Sequence, residues 1–96
     1  MPVRFDSGWT VLETELLGEQ ASALGRLGRE VERSLAALRA STAEKGSPER
    51  AALLKTAASA VWCYFIQREV NGLRNHRAPI ADYDIPREVL ARLGVF

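Results

Sequence analysis

Leu17, Ala21, Leu24, Gly28, Val31, Leu35 and Leu38 recur at alternating intervals of four and three. That spacing keeps one face of an α-helix apolar, and a β-strand, whose sides alternate every second residue, cannot use it. The first half of the chain is therefore read as one long helix over residues 10–40, about 45 Å at roughly 1.5 Å per residue. Its start is marked by Thr10-Val-Leu-Glu13, the spacing of a capping box in which threonine and glutamate satisfy each other's backbone amides. Glu13 and Glu15 also suit the positive end of the helix dipole. Arg26/Glu30 and Arg29/Glu32 add supporting charge pairs on other faces.

Residues 41–46 are small and polar and read as a turn. Ser47-Pro48-Glu49 then opens a second helix, with serine as cap, proline at the first position and an acid next. This helix is expected over residues 48–73. Leu54, Ala58, Val61, Trp62, Phe65, Ile66 and Leu73 fall on one side of it, with Leu53, Ala57, Ala60 and Tyr64 on a flank. Up to Ile66, Lys55, Thr56 and Ser59 define the wet face, and it is narrow. A helix apolar around most of its circumference needs more than one neighbour. The first helix covers one side. Ile80, Tyr83, Ile85, Val89, Leu90 and Leu93 of the C-terminal segment cover another, and a second copy of the chain is the natural cover for the remainder. Residues 75–84, interrupted by Pro79, read as irregular, and a short last helix follows over 86–93 with Gly94 as its stop.

The expected fold is thus all-α: one domain over 1–96, with an arm at 1–9 anchored by Phe5 and Trp9, an antiparallel hairpin of two long helices, and a short C-terminal helix. The hairpin is expected to dimerise into a four-helix bundle. A turn near residue 45 sets Trp62 and Phe65 opposite Gly28 and Gly25, and Gly72 opposite Gly18. Glycine in a helix interior costs up to about 1 kcal/mol against alanine. Close approach of the two helices, toward the short end of the usual ~8–10 Å, would offset that cost.

Composition narrows the function classes. Hydrophobic residues at 47% and charged residues at 26% are ordinary for a globular chain. A net charge of +1 argues against a dedicated nucleic-acid binder. Arg26, Arg29, Arg33 and Arg39 are diluted by Glu30 and Glu32, as on a solvated helix. Cys63 is the single cysteine, which excludes an internal disulfide framework. The first seven residues lack the apolar run of a signal peptide, and the richest apolar stretch, 57–66, is too short to span a bilayer. A cytoplasmic protein without membrane contact is the expectation.

Residues 67–77 change character abruptly. Glu69 falls near the middle of the apolar face, where a carboxylate is costly unless paired. Arg74, His76, Arg77, Arg87 and Arg92 are candidate partners. The favoured reading is a structural knot in which Glu69, held by an arginine, ties the open end of the hairpin to the C-terminal segment. The rival reading is a ligand or anion pocket built from Arg68, Glu69, Arg74, His76 and Arg77, against which stands the negative end of the helix dipole. His76 is the single histidine, and no paired Glu-x-x-His motif exists, so no metal site and no cofactor is expected. Cys63 has no histidine at an activating helical spacing. Trp62, Tyr64 and Phe65 read as core rather than as a base-stacking platform.

Ala21-Ser-Ala-Leu-Gly-Arg-Leu-Gly-Arg29, Val61-Trp-Cys-Tyr-Phe-Ile-Gln-Arg-Glu-Val-Asn-Gly-Leu-Arg-Asn-His76 and Asp82-Tyr-Asp-Ile-Pro-Arg-Glu-Val-Leu-Ala-Arg-Leu-Gly94 resemble a family of short bacterial proteins classed as a domain of unknown function. The resemblance implies a helical bacterial protein and brings no activity or site residue with it. The expected function is a small dimeric interaction or structural module without catalytic activity, with a further protein partner possible in kind. The alternative is a small-molecule or anion-binding protein, conceivably an enzyme, using the Arg/Glu/His cluster.

Overall fold

The computed structural model describes residues 11–93; the expected arm with Phe5 and Trp9, the Thr10 cap and the Gly94 stop lie outside them. The described residues form α1 (Val11–Ala40), α2 (Pro48–Val70), α3 (Arg77–Asp82) and α4 (Arg87–Leu90), with no strand among them. The Ser47 hydroxyl oxygen accepts from the backbone amide of Arg50 at 3.2 Å. With Pro48 in the first turn, α2 starts as its sequence requires.

α1 and α2 pack antiparallel along the stripe that the four-three spacing marks. α1 buries Gly28, Val31, Ser34, Leu35 and Leu38, and α2 meets them with Leu54, Ala57, Ala58, Val61, Tyr64 and Phe65. Val31, Val61 and Val89 are completely buried, each contributing roughly 1.5–3 kcal/mol relative to exposure. Ser34 is a polar residue inside this stripe, and its hydroxyl donates to the Val31 carbonyl at 3.1 Å. The bond keeps it satisfied within its own helix. α4 also packs against α2, and an Arg50–Glu88 ion pair joins the two. The C-terminal segment thus covers one flank of α2, as its apolar circumference demands.

The rotation of α2 differs from expectation. Trp62, expected over Gly28, is 41% exposed, and Tyr64 stands against Gly28 instead, together with Tyr83. Gly25 is exposed; a Cβ there would meet Arg29 Nη1 at 3.5 Å and no ring of α2. The level along the hairpin is nearly right and the azimuth is wrong. Two residues along a helix turn the side chain by about 200°, and a helix apolar all round gives no sequence signal for which side faces α1.

α2 also stops three residues early. Leu73 donates its amide to the Arg68 carbonyl at 2.8 Å and Gly72 to Glu69 at 3.0 Å, while Gly72 has φ +87°. These are the two bonds of a Schellman stop with glycine in the left-handed position. Gly72 therefore ends the helix rather than opposing Gly18, and a Cβ at either would meet nothing within 4 Å.

The stretch expected to be irregular contains α3. Pro79 sits in its first turn, where the backbone amides have no intrahelical partner to lose. A second Schellman stop closes it: Ile85 donates to Ile80 at 3.0 Å and Asp84 to Ala81 at 3.1 Å, with Asp84 at φ 51°. Arg39, in the last turn of α1, donates to the carbonyls of Tyr83 at 2.9 Å and Asp84 at 2.7 Å. It thereby fastens this corner to the closed end of the hairpin.

The two long helices differ in length. α1 has 30 residues and α2 has 23, so α1 outruns α2 at the open end. Among residues 11–21, Gln20 alone is even half-buried.

Candidate functional site

The Schellman stop at Gly72 turns the chain back toward α2, and His76 returns to lie flat on Phe65. The ring centroids are 4.2 Å apart and the planes 4° from parallel. Arg68 Nε donates to His76 Nδ1 at 3.2 Å, and its Nη2 donates to the Asn75 carbonyl at 2.8 Å. Glu69 Oε2 lies 2.9 Å from His76 Nε2. An arginine has no acceptor, so Nδ1 presents its lone pair and Nε2 carries the proton that goes to Glu69. The Asn75 side-chain oxygen accepts from the Arg77 amide at 2.9 Å, which supports the first turn of α3.

The structure therefore brings together three of the five expected residues, Arg68, Glu69 and His76. Arg74 and Arg77 are exposed, and neither makes an ion pair among the described residues. Glu69 is 45% exposed and pairs with histidine; the expected burial and arginine partner are both corrected. The cause is the early helix stop. Leu73 does not extend the apolar face, so Glu69 sits at its open edge and not in its middle. Arg68, near the C-terminus of α2, is a cation where the helix dipole favours one.

Beside this cluster, α1, α2 and α3 enclose a cleft of about 310 Å³ lined by Glu32, Tyr64, Arg68, Pro79, Asp82 and Tyr83. Of the five expected residues, Arg68 alone reaches it. Tyr64 and Tyr83 meet edge-on, 5.5 Å apart at 89°. Burial pushes the Tyr83 hydroxyl up to about 12, helped by its hydrogen bond to Tyr64 and by the charges of Tyr64, Glu32 and Asp82. Tyr83 is thus a neutral hydrogen-bond donor over the physiological range. The sequence places Tyr64 on a flank of α2 and Tyr83 in the C-terminal segment, and nothing in their spacing brings the two together at Gly28.

Other chemistries find little to build on. No three His, Cys, Asp or Glu side chains among the described residues converge to hold a metal ion. The imidazole lone pair of His76 is taken up by Arg68. Of the helix-one arginines, Arg33 is paired with Glu30 and Arg39 with backbone carbonyls. Cys63 is exposed. No described helix is long and apolar enough to cross a membrane.

The open end of the hairpin carries the most unusual surface. Leu12, Leu16 and Leu17 on the overhang of α1, and Ile66, Val70 and Leu73 at the end of α2, are all exposed, Leu12 by 75% and Val70 by 64%. The expected ranges, 10–40 and 48–73, already make α1 the longer helix, and the early stop of α2 at Val70 extends the overhang.

A family model matches residues 1–96, and the chain belongs to that family, described as a family of unknown function, DUF6665. No curated protein and no solved structure matches it.

Proposed function

We propose that this member of the DUF6665 family is a helical interaction module that associates with a second copy of itself through the open end of its hairpin. The observation that carries the reading is the set of exposed apolar side chains where α1 outruns α2, Leu12, Leu16 and Leu17 with Ile66, Val70 and Leu73. Large apolar patches on a folded chain mark interaction sites, and burying them between two hairpins brings four long helices together. The polar cluster fits a structural role in the same scheme, since Arg68, His76 and Glu69 bond to one another and hold the turn that follows α2.

Sedimentation velocity at micromolar concentration tests this. A dimer is expected, with Leu16→Glu and Val70→Glu each giving a monomer of unchanged helical circular dichroism. A monomeric wild-type chain under those conditions would end the reading.

One observation favours a second reading, a small-ligand or anion site around Arg68, Glu69, Arg74, His76 and Arg77: the cleft beside Arg68. Glu32 and Asp82 on its wall oppose an anion. Titrating inorganic phosphate against isotope-labelled protein decides it, because saturable shifts at Arg68 and His76 would favour the site and none would remove it.

A further inference from the structure

We infer that the two copies dock reciprocally, the overhang of α1 in one copy lying along the end of α2 in the other; this rests on the self-association proposed above. The first support is charge. Residues 11–25 contain Glu13, Glu15 and Glu19 and no lysine or arginine, whereas residues 67–77 contain Arg68, Arg74 and Arg77 against Glu69. Arg68 and Glu69 are engaged with His76. Glu15, Glu19, Arg74 and Arg77 are exposed and make no ion pair among the described residues. Docking overhang on overhang would set acids on acids, and end on end would set arginines on arginines. Overhang on end matches opposite charges, and a twofold axis makes the match twice.

The second support is spacing. Two hairpins meeting open end to open end run α1 of one copy parallel to α2 of the other. Leu12 and Leu16 are one helical turn apart on the overhang, and Ile66 and Val70 are one turn apart on α2. Setting Leu12 beside Ile66 and Leu16 beside Val70 carries Glu19 just past the end of α2, toward the segment after Gly72 that holds Arg74. The overhang, residues 11–21, is about 16 Å long, enough for both apolar pairs and the ion pair. Apolar contact supplies affinity in this arrangement, and the charges select the register.

A charge swap tests it on the full chain. One variant carries Glu15→Arg and Glu19→Arg, the other Arg74→Glu and Arg77→Glu. Each alone faces its own kind twice, so its dimer Kd should rise at least about tenfold at low salt. Mixed one to one, the variants form a heterodimer in which both contacts are complementary, and association should return to near the wild-type Kd. Added salt should shrink the penalty on each variant. Circular dichroism checks that both stay helical, and the milder pair Glu19→Lys with Arg74→Glu replaces either variant that does not fold. A wild-type dimer whose Kd the swaps leave unmoved, or a mixture that fails to recover, overturns the docking and leaves self-association standing. A wild-type monomer removes self-association and the docking with it, and would assign the surface to residues 1–10 or to another protein.

Discussion

The Tyr83 hydroxyl lies 2.6 Å from where a Cβ on Gly28 would stand, and Tyr64 Cε1 lies 3.4 Å from it. Gly28 is thus the seat on α1 for a pair of tyrosines, one from α2 and one from the residue that caps α3. The contact joins three elements at one missing side chain.

Alanine at this seat should therefore destabilise. Overpacking costs about 1–3 kcal/mol, against a gain of up to about 1 kcal/mol from helix propensity, so Gly28→Ala should lose up to roughly 2 kcal/mol in urea denaturation. Tyr83→Phe removes the atom in the way and should recover part of that loss in the double variant. Gly25→Ala meets only the Arg29 side chain, at an ordinary contact distance of 3.5 Å, and should be neutral or gain about 0.5–1 kcal/mol. Equal effects at 25 and 28 would contradict the packing described.

Alkaline pH should weaken the fold through Tyr83. Its hydroxyl is raised from 10.0 to about 12, so above the unfolded value the folded chain holds a proton that the unfolded chain has released. Stability from this group is complete below pH ~10 and is lost as pH rises through about 12. Tyrosinate absorbance should show one late-titrating tyrosine that disappears in Tyr83→Phe. That variant should also have a flatter stability curve over this window, and a curve as steep as the wild type would assign the fall to other groups.

The cluster at the end of α2 should depend more on His76 than on Glu69. Glu69→Gln keeps an acceptor for His76 Nε2 at a half-exposed position, so the loss should stay below about 1 kcal/mol. His76→Ala removes the stack on Phe65 and the acceptor for Arg68, and should cost about 1–2 kcal/mol. Nitrogen NMR at mildly alkaline pH should find the proton of His76 on Nε2; a proton on Nδ1 would be incompatible with the Arg68 bond.

The two Schellman stops should respond in opposite ways. Gly72→Ala forces a Cβ into the left-handed region and should cost about 1 kcal/mol. Asp84→Gly relieves the same conformation and should gain up to about 1 kcal/mol. Thermal denaturation of the two variants measures both signs.

How far these features could be read from the residues follows from how local their causes are. The α1 stripe and the Ser47-Pro48 start are written in neighbouring residues, and the hairpin followed from them. The stop of α2 was also local, since Asn71-Gly72 is a turn dipeptide, but extending the helix to 73 moved Glu69 from the rim to the middle of an apolar face. α3 was hidden because Pro79 reads as a breaker unless its place in a first turn is known. Arg68, Glu69 and His76 were legible as a group by composition. His76 was one of several candidate partners for Glu69, but the choice among them was not legible, because the stack of His76 on Phe65 spans a helix stop, and neither was the rotation of α2, which its continuous apolar circumference leaves undetermined.

The unequal lengths of α1 and α2 divide one continuous helix into two regimes of hydrogen exchange. Residues 24–38 are clamped by the core, and their amides open only when the hairpin does. In the monomer residues 11–21 have no α2 beside them, and a segment of that length is barely stable as a helix in water, so at concentrations below the dimer Kd their amides should exchange through local fraying orders of magnitude sooner. The boundary should fall within about two turns, near Ala21, with no break in the backbone to mark it. Any partner that settles on the overhang would be visible as the fast half of α1 turning slow while the slow half stays as it was.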